Sequence, residues 1–125
     1  MVVILLDAHG DRTMFPDRGA NKAFSVSDVD LAALGLPADP QPHLHLSGYT
    51  LLNPGSRDAG LAALSMAAAA DMTVSVDPSS AAPLAELGAA RFLSMTRGVD
   101  LLLANRDEAA VLAGTIVRHL AAQQL

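Results

Sequence analysis

The sequence predicts an α/β protein with a mostly parallel β-sheet, preceded by a short β-hairpin. Apolar strand-like segments alternate with helix-forming segments, and the step between strands is roughly 30 residues, which is the size of one βαβ unit. Of the 125 residues, 51% are hydrophobic, enough for a packed core. Because βαβ crossovers are right-handed, we expect the successive strands to be parallel in one sheet.

The predicted hairpin lies at the start of the chain. Residues 2–6 are β-branched and apolar, residues 8–11 are a turn signal, and residues 12–15 can pair back before Pro16 ends the strand. Two interpretations are open: a simple edge hairpin, or a flap over a site. Next, Ser27 with Asp28 and Asp30 predicts a capped helix through Leu34, stopped by Gly35. Prolines at positions 37, 40 and 42 then predict a loop.

The rest of the chain is regular. Strands are predicted over residues 44–47, 73–76 and 101–104, and the last has the continuous apolar pattern of a sheet covered on both faces. Helices are predicted over 56–70 with Ser56 as the cap, over 83–96 ended by Gly98, and over 105–112 with Gly114 behind it. Residues 115–125 continue with helical apolar spacing.

Composition excludes several classes of function. The formal net charge is −5 and no basic run is present, which argues against nucleic acid and anionic membrane surfaces. The absence of cysteine excludes disulfides, thiolate zinc sites and cysteine nucleophiles. The apolar start meets Asp7 after six residues, too few for a signal peptide or a membrane span, so we expect a cytoplasmic protein. Neither a P-loop nor a Gly-x-Ser-x-Gly elbow occurs.

Polar residues follow all three predicted strands, at 47–48, 77–80 and 105–108. In a parallel sheet these ends share one edge, where ligands bind. Asn105 and Glu108 fit a helix capping box, and they also fit a pair that holds a magnesium water shell or a phosphate; both interpretations can hold together. Asp77 is either a turn residue or a carboxylate at the ligand edge.

Two further groups are open to interpretation. His43 and His45 point to one face of a strand, as in some metal hydrolases, but the remaining histidines, His9 and His119, lie elsewhere, so a packing or surface role is favoured. The polar segment over residues 17–22 is either a loop or a binding segment for an oxygen-rich ligand, with a guanidinium fork and an amide as donors.

In this order, the segments resemble the central part of the ribokinase-like carbohydrate kinases, the family often called PfkB. The resemblance covers nearly the whole chain and fades after Gly114, and the Asn-x-x-Glu element is its most specific part. It rests on five segments: Gly10-Asp11-Arg12-Thr13-Met14-Phe15, Arg18-Gly19-Ala20-Asn21, His45-Leu46-Ser47-Gly48-Tyr49, Val76-Asp77-Pro78-Ser79-Ser80 and Leu102-Leu103-Ala104-Asn105-Arg106-Asp107-Glu108.

The resemblance implies a phosphotransferase that moves the γ-phosphate of ATP to a sugar or nucleoside hydroxyl with magnesium. It implies a partial ribokinase-like, Rossmann-like three-layer fold: one partial domain over 1–125, with a lid hairpin and substrate loop over 1–22 and a βαβαβα core over 43–125. The resemblance assigns no residue of this chain to direct coordination of the metal. By this likeness substrate binding falls to Arg18, Gly19, Ala20 and Asn21, and the positions close to phosphate and magnesium are Asp77, Asn105 and Glu108.

Departures from the family pattern limit what the resemblance implies. The early glycine-rich sugar-binding segment, the late Gly-Ala-Gly-Asp motif and the region that binds the ATP base do not occur in the 125 residues. We therefore expect a fragment or a misplaced start, with no catalytic residue in this chain and no sugar kinase activity of its own. Open sheet edges predict that the chain associates with other copies, as a homodimer through the lid strands. The alternatives are a non-catalytic sugar-binding or regulatory module and, last, a metal-dependent hydrolase.

Overall fold

A computed structural model describes residues 2–10, 12–36 and 40–122 of the chain. They form an antiparallel hairpin and a three-stranded parallel sheet, which confirms the α/β class. The hairpin pairs β1 (Val2–Leu6) with β2 (Arg12–Pro16). The sheet has the order β3-β4-β5, with β3 at His43–Ser47, β4 at Thr73–Asp77 and β5 at Leu101–Leu102.

The hairpin forms as the sequence predicts. Its register runs from Val2 opposite Pro16 to Leu6 opposite Arg12, and Gly10 supplies a left-handed turn position with φ of +86°. Its apolar side chains remain largely in solvent, and Leu6 is 72% exposed. The hairpin therefore adds little to the core of the sheet.

In the described part of the segment between the hairpin and β3, the chain forms three 3₁₀ turns, at Gly19–Ala23, Val26–Asp28 and Ala32–Leu34. The single helix predicted through Leu34 with Ser27 as its cap is wrong. Ser25 is the cap, because its extended backbone lets it form a capping box with Asp28, and the turn ends when Val29 becomes extended. Gly35 ends the last turn with φ of +56°, as predicted. Of the predicted proline loop, Pro37 lies outside the described residues.

Within residues 40–122, α-helices follow each strand of the sheet, five in all. They are α1 (Tyr49–Leu52), α2 (Arg57–Ala69), α3 (Ala81–Leu87), α4 (Ala89–Met95) and α5 (Arg106–Ala122). The helix predicted over 83–96 is in fact α3 and α4, because Gly88 between them has φ of +91°, outside the helical region. The last helix runs on through Gly114, and the predicted helical positions 123–125 lie outside the described residues.

Ser56 precedes α2, but it does not cap the helix with its side chain as predicted. Its hydroxyl instead donates a hydrogen bond of 3.0 Å to the carbonyl of Thr50. Beside it, the Arg57 side chain donates to the carbonyls of Leu51 and Leu52, at 2.7 and 3.1 Å. These bonds hold α1 against the start of α2.

The core lies on one face of the sheet. Leu46 and Val76 are in register and pack with Leu84 and Phe92 from the helices. The opposite face carries polar side chains on β3 and β4, such as the exposed His45. The strand predicted over 101–104 is only two residues long, and Leu101 on the polar face is 54% exposed. Within the described residues, β5 is thus covered on one face only, which corrects the expectation of a strand covered on both.

Candidate functional site

The carboxyl ends of β3 and β4 are joined by backbone contacts. The Gly48 N–H donates a hydrogen bond of 2.6 Å to the carbonyl of Asp77. A Cβ atom at Gly48 would collide with that carbonyl oxygen and with the backbone of Pro78. Glycine is therefore required here by the close approach of two chain segments, and the two predicted strand ends do meet at one edge.

Ser79 organises the turn after β4. It adopts a left-handed conformation with φ of +72°, which is uncommon for a residue other than glycine. The Asp77 Oδ1 atom accepts the Ser79 N–H at 2.7 Å, which is the turn role considered for this aspartate. The Ser79 hydroxyl lies 3.0 Å from the Ser47 hydroxyl and accepts the Tyr49 N–H at 3.2 Å. A strained residue thus ties the two strand ends together.

A cleft of about 920 Å³ lies between the hairpin and this edge. Its size is in the range of small-molecule sites. The lining residues come from β2, from the segment after it, from α1 and the loop that follows it, and from the start of α3. They are Arg12, Thr13, Met14, Asp17, Arg18, Asn21, Phe24, Tyr49, Thr50, Asn53, Ser56, Ser80, Ala82 and Pro83.

Of the predicted substrate-binding residues, Arg18 and Asn21 line this cleft. Gly19 and Ala20 belong to the same 3₁₀ turn but are not among the described residues that line it. The turn is held locally, because the Asn21 N–H donates to the Arg18 carbonyl at 2.9 Å. The hairpin and the loop after it therefore contribute one wall of the cleft.

The opposite wall contains Ser80, which belongs to the predicted ligand edge at 77–80, and two residues that the sequence did not single out as a site, Tyr49 and Asn53. Tyr49, Asn53 and Ser80 all line the cleft. Ser80 is distant in the chain from Tyr49 and Asn53 and becomes their neighbour through the parallel pairing of β3 with β4. The one sequence signal for Tyr49 is that it comes next after Ser47-Gly48 at a predicted strand end. Aromatic and amide groups in one cleft suit a ligand that has both apolar faces and hydroxyls.

Asn105 and Glu108 form the predicted capping box at the start of α5. The Asn105 Oδ1 atom accepts the N–H groups of Asp107 and Glu108, both at 3.0 Å. In return, the Glu108 carboxylate accepts the backbone N–H of Asn105 at 3.0 Å and its side-chain amide at 2.7 Å. Glu108 is only 2% exposed, and the hydrogen bonds of the capping box offset the free-energy cost of burying its carboxylate.

The capping box limits what this pair can do with a metal ion. Magnesium prefers an octahedron of oxygen ligands and keeps several waters. Both oxygens of Glu108 already accept hydrogen bonds from Asn105. In the part of the chain that the structure describes, no three histidine, cysteine or acidic side chains form a possible metal cluster. None of Asp77, Asn105 and Glu108 lines the cleft.

The two histidines of β3 share a hydroxyl on β4. His43 Nε2 and His45 Nδ1 lie 2.7 and 2.8 Å from the Ser75 hydroxyl, and His43 Nδ1 lies 2.7 Å from the Thr73 hydroxyl. Both ring nitrogens of His43 are thus engaged by hydroxyls. This arrangement favours the packing interpretation over a hydrolytic metal site, which needs three or four free ligands.

The sequence model described as "pfkB family carbohydrate kinase" matches residues 1–124. The chain belongs to the pfkB family of carbohydrate kinases. This membership agrees with the ribokinase-like resemblance and with the α/β fold, and it identifies the ancestry as that of an ATP-using kinase with a small-molecule sugar or nucleoside substrate. Searches of curated proteins and of solved structures found no match to this pfkB chain.

Among the described helices of the pfkB chain, none combines the length and the apolar character that crossing a membrane requires.

Proposed function

We propose that the cleft between the hairpin and the β3–β4 edge is the sugar or nucleoside site of a carbohydrate kinase, with the hairpin as its lid. One observation carries the proposal: Arg18 and Asn21, assigned to substrate binding from the sequence, line a cleft of about 920 Å³ opposite Tyr49 and Ser80. An amide that both donates and accepts hydrogen bonds, beside an aromatic ring, suits a polyhydroxylated ligand.

Gly19 and Ala20 are assigned to this site as the link between Arg18 and Asn21, since they do not line the cleft themselves. Both are exposed in the 3₁₀ turn between Arg18 and Asn21. The Asp17 carboxylate accepts the Gly19 N–H at 3.1 Å and so fixes the direction of the turn.

The phosphate-transfer side of the site is assigned to the neighbouring strand ends, at Asp77, Asn105 and Glu108. Asp77 and Asn105 follow adjacent strands of the parallel sheet, β4 and β5. The family reaction takes a phosphoryl group from ATP with magnesium, and we place the chain in the cytoplasm, where ATP is available. Because the carboxylate of Glu108 is committed to its capping box, no direct metal bond is assigned to it.

By itself this chain is proposed to bind a substrate without phosphorylating it. Phosphoryl transfer depends on positioning and on charge stabilisation, and no Gly-Ala-Gly-Asp segment occurs in the 125 residues to supply a base and an anion hole. A non-catalytic sugar-binding or regulatory module is the second candidate function. It is favoured by a cleft that has hydrogen-bonding side chains, Arg18 and Asn21, among its lining residues.

The hairpin is also proposed as a homodimer contact. Val3, Ile4, Leu5 and Phe15 are all exposed on β1 and β2. An isolated two-stranded hairpin is marginally stable in water, so it gains from packing against a second copy.

Calorimetric titration of the full chain with a panel of sugars and nucleosides, with and without magnesium-ATP, tests the proposed site. We expect saturable binding of at least one ligand and no phosphorylated product. An Asn21→Ala variant is expected to weaken binding by about tenfold, because it removes a hydrogen-bonding amide from the cleft.

A Lys22→Ala variant is the matched control, since Lys22 lies in the same turn but does not line the cleft. A folded chain that binds no ligand of the panel would contradict the site. ATP-dependent formation of a sugar phosphate by the pure chain would contradict the proposed inactivity.

A further inference from the structure

The charged side chains of the cleft are mostly positive, although the whole chain is acidic. The chain has a formal charge of −5, with eight basic residues among 125. Two of the eight, Arg12 and Arg18, line the cleft, and Asp17 is the acidic residue among the described lining residues. The cleft thus has a charge opposite to that of the molecule.

The acidic residue is committed to the chain itself. Asp17 Oδ1 accepts the N–H of Gly19 at 3.1 Å, which shapes the turn that carries Arg18. Part of the hydrogen-bonding capacity of this carboxylate is therefore used in holding the loop. The two guanidinium groups are the strongest charged donors that remain for a ligand.

Arg18 is only partly exposed in the wall of the cleft. Arg57, which is also partly buried, shows the usual arrangement in this fold: its Nε and Nη2 atoms donate to the carbonyls of Leu51 and Leu52. No buried side-chain nitrogen in the described part of the chain lacks a partner, so every nitrogen of Arg18 that the chain does not bind keeps contact with the solvent of the cleft.

We propose that the substrate of this cleft is a sugar that carries an anionic group, a phosphate ester or a carboxylate, and that Arg18 and Arg12 bind this group. The inference rests on the proposed function and narrows its substrate class. A guanidinium presents a planar fork of donors that matches the oxygens of phosphate and carboxylate, and such charge-assisted bonds are roughly twice as strong as neutral ones. Hydroxyl groups of a neutral sugar need no positive charge, and Asn21 and Asn53 already offer amides for them.

The experiment is calorimetric titration of the full chain with hexoses and pentoses, each as the neutral sugar, as its phosphate ester and as its sugar acid, with inorganic phosphate as a further probe. We expect one anionic form to bind at least about tenfold more tightly than its neutral counterpart. Raising the salt from about 0.01 M to about 1 M shortens the screening length from about 30 Å to about 3 Å, so it should reduce this preference. Comparison of ester with acid identifies the anionic group.

Substitutions assign the preference to the arginines. Arg18→Gln should remove most of it, Arg18→Lys should keep part of it, and Arg12→Gln should reduce it. Arg97→Gln, in an exposed turn after α4, is the control that should leave it unchanged. Circular dichroism checks that each variant is folded, and Arg18→Lys tests the proposal if Arg18→Gln does not fold.

Three results would overturn the proposal. The first is a neutral sugar that binds as tightly as its anionic forms and equally well to the Arg18→Gln variant. This result would contradict the anionic substrate class and would still support the proposed sugar site. Inorganic phosphate that binds as tightly as any phosphate ester shows an anion site without sugar recognition. A folded chain that binds no probe overturns both the anionic class and the proposed function.

Discussion

At the scale of single residues, hydroxyls and carboxylates of this chain form local hydrogen bonds, and the spacing of residues in the sequence reveals these bonds only in part. The Ser25 cap is an example. Its backbone N–H and its hydroxyl both donate to the Asp28 carboxylate at 2.8 Å. The spacing of residues 25 and 28 fits a capping box, but so does a helix that starts at Ser27, and only the extended backbone of Ser25 decides between them.

The capping box makes a pH-dependent prediction. The hydrogen bonds from the backbone N–H and then from the hydroxyl of Ser25 lower the pKa of Asp28 from its ordinary value of 3.8. Because the folded pKa is the lower one, the stabilisation is complete above the unfolded value and is lost as the pH falls through the folded value. An NMR titration of the carboxyl carbons should give Asp28 a pKa below 3.8.

Ser25→Ala serves as the internal comparison for this titration. It removes the hydroxyl donor and leaves the backbone donor, so the pKa of Asp28 should move part of the way back to its ordinary value. An Asp28 that titrates at or above 3.8 in the unmodified chain would show that the capping box does not form in solution.

At the scale of elements, the sequence predicted best what depends on neighbours along the chain. The strand over 73–76 alternates in polarity and ends at Asp77-Pro78, and the box at Asn105 and Glu108 follows from residue types at fixed spacing. What it could not show depends on distant residues. Whether β5 is covered on one face or both, and whether Tyr49 and Asn53 line the cleft, depends on which segments pack together. A pattern of neighbouring residues in the sequence does not contain that information.

The break between α3 and α4 lies between these cases. Apolar spacing continues through Gly88, so periodicity predicted one helix over 83–96, although φ there is +91°. A β-carbon at Gly88 would meet no atom within 4 Å, so space is not the reason for glycine. The reason is backbone conformation, since positive φ disfavours every residue with a side chain.

Gly88→Ala is accordingly predicted to lower the free energy of unfolding by roughly 1 kcal/mol. Gly114→Ala is the matched control, because Gly114 lies within α5 and a β-carbon there also meets no atom within 4 Å. In a helix interior, alanine is favoured over glycine by roughly 0.5–1 kcal/mol, so this control should raise stability. Urea unfolding curves measure both changes, and a stabilising Gly88→Ala would indicate one continuous helix in solution.

At the scale of the whole molecule, apolar surface is distributed unevenly. The sheet buries Leu46 and Val76 against the helices, whereas the hairpin keeps Val3 and Phe15, which face each other across β1 and β2, about half exposed. Two strands alone bury too little to be stable. A hairpin of this kind therefore gains stability from a ligand beneath it, a partner against it, or both, and this connects the proposed site with the proposed dimer.

The prediction for the dimer is tested by light scattering of the full chain over a wide concentration range. We expect the average mass to rise from monomer towards dimer, and the double variant Val3→Lys with Phe15→Lys to remain monomeric, because charges on that face oppose its burial. Leu34→Lys is the control, since Leu34 is 60% exposed in a 3₁₀ turn outside the hairpin. If the control alone abolishes association, the contact lies elsewhere; if the unmodified chain stays monomeric, the hairpin must be stabilised by its ligand alone.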